Sequence, residues 1–498
     1  MSQKTSHPKF IKDRHAGVLL HPTSLPGNQL PGCERNGDIG PQAYHFLDFL
    51  QSCGISIWQM LPLGPTHDGG SPYMSLSVLA GNSDLISLQL LLDWGWLQKK
   101  DLNPKDKLTS LRTAGKLFAQ RDNAPEQREY SEFLTRHENW LPDFALFQAI
   151  HDHQQGRSWL DWPAALRDKE PQAVAEAKTQ LQSDIDQIYF EQFVFFKQWA
   201  ALKSYANQRG ILIFGDMPIF VATDSAEVWA HREYFDLGPD GKPKTVAGVP
   251  PDYFSATGQL WGNPHYNWQR MRKDDFLWWR NRISGTLELF DLIRIDHFRG
   301  FEAYWQIDAD AKTAIHGKWV KAPGEALFKT LSKTFGELPF VAEDLGTITP
   351  EVNALREKFG WPGMKILQFA FDGDVSNPYL PHNHVPNSVV YTGTHDNDTT
   401  LGWFESLSNH DRDGIYEYLG KVQEPMPWAL IRCALASTAN LAVIPMQDIL
   451  SLGEGQRMNT PGERDGNWSW RFEWSDVHSE VAGRLRHLVS MYGREIHK

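Results

Sequence analysis

Three acids close three short apolar runs. Asp296 ends Phe290-Asp-Leu-Ile-Arg-Ile-Asp296, Glu343 ends Pro339-Phe-Val-Ala-Glu343, and Asp396 follows Ser388-Val-Val-Tyr-Thr-Gly-Thr-His395. Each run reads as a buried strand with a carboxylate at its carboxyl end, where a (β/α)8 barrel carries its chemistry. Two carboxylates facing one bond, with a third beside them, suit the cleavage of a glycosidic bond. Arg294 precedes Asp296 by two residues, so on a strand the two side chains share a face. The guanidinium would then keep Asp296 ionised and oriented, as a nucleophile requires; by spacing alone, a buried Arg–Asp pair at a strand end explains the motif equally well. Glu343 has apolar neighbours and is followed by Asp344. Both features raise a carboxyl pKa, which fits a general acid. The same stretch reads as the approach to a helix capped by Thr349 before Pro350, which accounts for the threonine but not for the acid. The polar run Thr394-His395-Asp396-Asn397-Asp398 is costly next to an apolar strand unless every group finds a partner, and sugar hydroxyls would supply partners. Alternating Asp and Asn could instead ligate calcium, but the EF-hand spacing is absent, and no metal is expected.

The elements that must position these acids follow from the apolar pattern. Eight runs read as strands: 16–20, 56–61, 210–216, 289–296, 340–343, 364–369, 388–391 and 441–446. They are short, continuously apolar and rich in β-branched residues, as parallel strands buried on both faces are. Helical stretches alternate with them, which implies βα units, and eight such units imply an α/β fold closed as a (β/α)8 barrel within one catalytic unit over 1–498. Two long insertions interrupt it. Residues 63–209 carry helical periodicity, clearest over 143–153, 171–186 and 188–206. Residues 220–282 are dense in Gly, Pro and aromatics and read as loops. As βα insertions, both are expected to wall the cleft. Weaker candidates lie nearby: Asp216 at the end of a strand, Ser71 and Tyr73 after Gly69-Gly70, and Asp252, Gln259 and Trp261 in Gly-Val-Pro-Pro-Asp252-Tyr-Phe-Ser-Ala-Thr-Gly-Gln259-Leu-Trp261.

Composition excludes several classes. A net charge of −12 with scattered Lys and Arg argues against nucleic acid and anionic membranes as partners. No apolar run reaches the ~20 residues of a membrane span, and the polar N-terminal stretch lacks the apolar centre of a secretory signal. The only cysteines are Cys33, Cys53 and Cys433, without metal-ligand spacing, so a cytoplasmic protein with reduced thiols is expected. No GxGxxG, P-loop or GxSxG elbow is present, so neither a nucleotide cofactor nor serine hydrolase chemistry is expected. The 20 tryptophans are many, and several sit in Gly- and Pro-rich segments: Trp261, Trp361, Trp468 and Trp470. Flat side chains on loops stack against the apolar faces of pyranose rings.

These motifs resemble the 4-α-glucanotransferases, also called amylomaltases or disproportionating enzymes, of the α-amylase clan. The resemblance runs almost end to end through HPTSLPG, SPYMS, GDMPIFV, GVPPDYFSATGQLWGNP, IRIDHFRGF, VAEDLG, MKILQFAF, YTGTHDNDT and RMNTPG. It implies that Asp296 is the nucleophile, Glu343 the acid/base and Asp396 the third carboxylate. It further implies that Arg294, His297 and His395 bind the −1 glucose, that Ser71, Tyr73, Asp216, Asp252, Gln259 and Trp261 line subsites, and that Asn459 lies near the −1 and −2 sugars. The implied substrates are maltooligosaccharides and other α-1,4-glucans, with glucose as an acceptor and no cofactor. Where some relatives carry an aromatic for a secondary glucan groove, this chain reads Pro65-Thr-His-Asp-Gly-Gly70, which implies different remote binding. Residue pattern alone leaves an α-1,4-glucan hydrolase and a non-catalytic glucan-binding barrel open; the resemblance favours the transferase.

Overall fold

Eight parallel strands pair in chain order around a nearly closed barrel: β1 (His15–Leu19), β2 (Ile57–Gln59), β3 (Leu212–Pro218), β4 (Leu292–Asp296), β5 (Phe340–Ala342), β6 (Gly363–Ile366), β7 (Ser388–Tyr391) and β8 (Leu441–Pro445). In this computed structural model, residues 12–27, 30, 37–122, 124–251, 255–463 and 465–495 are described. β8 returns beside β1, with Ala16 opposite Ala442 and Val18 opposite Ile444. All eight apolar runs form strands because a (β/α)8 sheet is covered on both faces. Every residue of β7, for example, is buried.

Several strand ends shift from the apolar pattern, and two of the shifts bear on the site. β3 continues through Pro218, so Asp216 lies inside the strand and not at its end. β6 stops at Ile366, and Leu367–Phe369 forms a 3-10 turn. That turn lets Gln368 Nε2 donate to the Asp398 carbonyl at 2.9 Å, a partner the apolar pattern does not reveal.

The seam between β5 and β6 closes through a side chain. Ala342 N–H donates to the Pro362 carbonyl at 2.9 Å. One level up, Asp344 Oδ1 accepts from Met364 N–H at 2.7 Å, and Arg356 lies 3.3 Å from Oδ2. The carboxylate stands in for a backbone acceptor. It leaves no room opposite, since a Cβ on Gly363 would sit 2.1 Å from Asp344 Oδ2. Gly363→Ala is therefore expected to cost about 1–3 kcal/mol, as overpacking of a filled site does; urea unfolding equal to the parent would contradict this account of the seam.

Between β2 and β3 the chain is mainly helical, including Leu141–His153, Pro171–Gln180 and the 27-residue helix Gln182–Gln208. Leu181 separates the last two, where periodicity predicts a helix running on to residue 186. The long helix holds the segment leading from β2 by two buried glutamines. Gln192 exchanges two hydrogen bonds of 2.8 Å with the Gly81 backbone, and Gln198 does the same with Ser87 at 2.7 and 2.9 Å. Each amide imitates a peptide group, so its burial leaves no group unpaired.

The segments after β3 and after β4 together build a feature absent from the pattern reading. A four-stranded antiparallel sheet runs in the order Gln259–Pro264, Thr245–Val249, Ala303–Asp308, Gly317–Lys321. Its first two strands lie in the stretch that reads as loop, because Gly248, Gly262 and Pro264 interrupt any alternation. Among the described residues no helix is long and apolar enough to cross a membrane.

Candidate active site

β4 and β5 set Asp296 and Glu343 side by side. Arg294 pairs with Val341 and Ile295 with Ala342. The pairing continues past the strands, as Glu343 N–H donates to the Ile295 carbonyl at 3.0 Å and Phe298 N–H to the Glu343 carbonyl at 3.1 Å. The two acids thus stand at one level of neighbouring strands, whose spacing is about 4.8 Å. The chain turns sharply after Asp296, with His297 at φ 48° and ψ 52°. Left-handed backbone costs a non-glycine residue about 1–2 kcal/mol. Here it aims His297 N–H at Glu343 Oε2, 2.7 Å away, while Leu345 N–H donates to Oε1 at 2.8 Å. Both oxygens of Glu343 are therefore fixed by backbone.

One guanidinium joins two acids. Arg294 Nη1 donates to Asp216 Oδ2 at 2.7 Å and lies 3.0 Å from Asp296 Oδ1. The i and i+2 relation of Arg294 and Asp296 is as the sequence reads, and Asp216 joins them because β3 places it opposite Arg294. Arg294 is 4% exposed, whereas the Asp296 side chain keeps 28% of its surface open.

Tyr73 connects this group to His395. It sits near the tip of a turn closed by pairing of Thr66 with Ser75. Its hydroxyl donates to Asp216 Oδ2 at 2.7 Å and lies 2.8 Å from His395 Nε2. With the phenolic hydrogen committed to Asp216, Nε2 of His395 carries the hydrogen and donates to the phenol oxygen. Burial lowers the His395 pKa, which keeps the ring neutral. Removing the hydroxyl takes one of two donors from Asp216 Oδ2, which keeps Arg294, and takes the acceptor 2.8 Å from His395 Nε2. Tyr73→Phe is expected to lower kcat/KM about 10- to 100-fold, the equivalent of about 1.5–3 kcal/mol for a hydrogen bond to a charged group; steady-state kinetics within twofold of the parent would show the network to be dispensable.

Asp396 lies five residues past β7 on the loop to the helix Thr400–Ser406 and is 46% exposed. Asn459 Nδ2 donates to its Oδ1 at 2.6 Å. Arg457 fastens both partners, donating to the Asn459 and Asp396 carbonyls at 2.7 Å each. His395 Nε2 is 3.4 Å from Asp396 Oδ2. Among the described residues no three His, Cys, Asp or Glu side chains group as a metal site would require.

Burial is the main cause of the perturbed titrations. It raises Glu343 above the ordinary carboxyl range, opposed first by Arg294 and then by the two amide donors. It pushes Asp296 up to about 8, opposed by Arg294 and reinforced by Asp216, Glu343 and Asp396. Two carboxyls so coupled lose their protons as a pair and not as independent groups. Arg294 at 3.0 Å favours the charge on Asp296. His297 is held neutral, its pKa lowered to about 3 by burial.

The other expected residues fall into three groups. Trp261 lies on the second sheet, its ring centroid 4.8 Å from that of His297, and its Nε1 donates to Gln259 Oε1 at 3.1 Å. Ser71 is brought no closer than the turn carrying Tyr73, where its carbonyl accepts from Met74 N–H at 3.1 Å. Asp252 lies outside the described residues. Pattern reading missed Arg457, whose partners are backbone carbonyls. It noted Trp468 only as a loop aromatic, yet this ring, at φ 60°, stands 5.9 Å from Tyr73 and 6.1 Å from His395. Trp468 also lines a cavity of about 350 Å³ with His21, Asp68, Pro72, Asn82 and Met458.

Known proteins share this arrangement of chain. The sequence model of the family described as 4-alpha-glucanotransferase matches residues 20–476. The chain belongs to the 4-alpha-glucanotransferase family. A 4-alpha-glucanotransferase of Thermus thermophilus is 48% identical, covering 96% of this chain and 98% of the relative. A chloroplastic/amyloplastic 4-alpha-glucanotransferase of Solanum tuberosum is 42% identical over 97% of this chain and 86% of its own length. Among solved structures, an amylomaltase from Streptococcus agalactiae in complex with acarbose superposes with a TM-score of 0.91 at 39% identity, covering 97% of this chain and all of that one. The span matched to the 4-alpha-glucanotransferase family contains every side chain of the site, from Tyr73 to Asn459.

Proposed function

We propose that this 4-alpha-glucanotransferase moves α-1,4-glucan segments by double displacement, with Asp296 as nucleophile and Glu343 as acid/base. The observation that carries this reading is the register of β4 and β5. It sets the two acids at one level of neighbouring strands, about 4.8 Å apart from backbone to backbone, which suits the closely spaced carboxyl pair of a retaining glycosidase. In the first step Asp296 bonds to the anomeric carbon, the glycosidic bond breaks, and Glu343 gives its proton to the departing oxygen. The reducing-end fragment leaves, and the remaining glucan stays on Asp296 as an ester. In the second step the 4-OH of an acceptor attacks the same carbon, Glu343 takes its proton, and Asp296 departs as a carboxylate. The reactive form is the singly protonated pair with the charge on Asp296, which the 3.0 Å contact with Arg294 supports.

Asp396, steadied by Asn459 and Arg457, accepts from sugar hydroxyls and strengthens those bonds as charge develops on the ring. His395, as a neutral donor, completes the −1 wall with Tyr73, and His297 contributes there through its ring. Trp261 with Gln259, and Ser71 at the turn of Tyr73, line donor and acceptor subsites, together with Asp216 behind them and Asp252 on the segment before Gln259. Aromatic walls favour a sugar over water at the acceptor position, so transfer outpaces hydrolysis. Maltooligosaccharides and longer α-1,4-glucans serve as donors and glucose as an acceptor, without a cofactor. We read the segments after β2 and β3 as walls of the cleft on one catalytic barrel. We also place the protein in the cytoplasm, a reading supported by the free thiols of Cys53 and Cys433.

Incubating the protein with maltotriose and following both products and reducing ends tests the reading. Glucose together with a ladder of longer oligomers, at constant reducing ends, is expected. Rising reducing ends without longer products would make the protein a hydrolase.

A further inference from the structure

Asp448 is a buried carboxylate that the mechanism above does not use. It lies just after β8 on the helical turn Met446–Ile449 and is 1% exposed. Its Oδ2 accepts from the hydroxyls of Thr392 and Thr400 at 2.6 Å each, and its Oδ1 accepts from Thr400 N–H at 2.7 Å. Thr392 is the first residue after β7, and Thr400 opens the helix Thr400–Ser406. One side chain thus ties both feet of the loop that carries His395 and Asp396.

The choice of residue is informative. A buried charge is costly unless hydrogen bonds satisfy it, and an apolar side chain would fill the same space. Three convergent donors require a group that only accepts, and a carboxylate is the small side chain that can take them all. Inside the loop Thr394 N–H and Oγ1 donate locally to Asn397 Oδ1 at 2.9 Å. Single contacts reach it from outside: Gln368 Nε2 to the Asp398 carbonyl at 2.9 Å, Arg457 to the Asp396 carbonyl at 2.7 Å, Asn459 to Asp396 Oδ1 at 2.6 Å and Thr399 Oγ1 to the Gly453 carbonyl at 3.2 Å. Asp396, 46% exposed, takes its position from the course of this backbone together with Asn459 and Arg457.

We infer that Asp448 is a positioning residue for the third carboxylate, acting on the reaction through Asp396 by clamping Thr392 to Thr400. The inference rests on the proposed role of Asp396. Displacement of a reacting group by about 1 Å costs on the order of 100-fold, and Asn at 448 accepts through one oxygen only.

A double-mutant cycle tests this, reading kcat for transfer from maltotriose and the single-turnover rate with an α-maltosyl fluoride donor. Asp448→Asn in the parent is expected to lower both about 10- to 100-fold, whereas in an Asp396→Asn background it changes them less than about 3-fold. Equal losses in the two backgrounds, or no loss in the parent, would overturn the inference. Asp396→Asn alone reads the role of that acid, and if it leaves both rates unchanged the proposed role and the inference fall together. Should Asp448→Asn not fold, Thr392→Val and Thr400→Val each remove one hydroxyl and are judged by the same comparison, with Thr392→Ser and Thr400→Ser expected to restore the rate.

Discussion

Replacing Asp296 by Asn is expected to lower kcat/KM for maltotriose on the order of 10⁵-fold or more, the scale seen when a covalent nucleophile is removed. Asparagine keeps the shape and an acceptor for Arg294 but cannot form the ester. The loss should fall on both halves of the reaction, so an activated fluoride donor will not rescue it. Stability provides the control. The Asp296 pKa is raised in the fold to about 8, so its favourable contribution is complete below the ordinary carboxyl value of about 3.9. That contribution is lost as pH rises through about 8, and neutral asparagine does not undergo this loss. The unfolding midpoint at pH 8 and above should therefore equal or exceed that of the parent. A large drop in both activity and stability would point to a structural ion pair instead of a nucleophile.

Glu343→Ala should lower transfer from maltotriose about 10⁴-fold, the upper range for a general acid, with a different pattern. A fluoride leaving group departs without a proton, so the first step with an α-maltosyl fluoride should stay near the parent rate. Added azide, which attacks without needing a base, should then accelerate release of the trapped sugar. The pH profile carries the sign. In the proposed reactive state the proton sits on Glu343, whose pKa burial raises above the ordinary carboxyl range, so activity falls on the alkaline side as that proton leaves. Glu343→Ala should lose that alkaline limb with the fluoride donor. An unchanged limb would assign the proton elsewhere.

How far the sequence specifies this site depends on the range of the contacts. The eight strands were legible because parallel strands buried on both faces read as unbroken apolar runs. The Arg294–Asp296 pair was legible because strand period fixes it locally. Asp344 was legible in part. As a neighbour of Glu343 it raises that pKa, behind burial as the leading cause, but the turn of its carboxylate to the β5–β6 seam left no local signal. The left-handed turn at His297 left no trace in composition, since the residue is not glycine. Arg457 and Asn459 reach Asp396 across more than sixty positions, and no local period records a contact of that span. The first two strands of the second sheet were hidden by Gly248, Gly262 and Pro264.

The central claim is a glucan ester on Asp296, and it can be weighed directly. Reaction with a 5-fluoro α-glucosyl fluoride, which forms the intermediate quickly and releases it slowly, followed by proteolysis and mass spectrometry, should find one fluoroglucosyl group on the peptide containing Asp296. No adduct, or an adduct mapping to Glu343 or Asp396, would contradict the account.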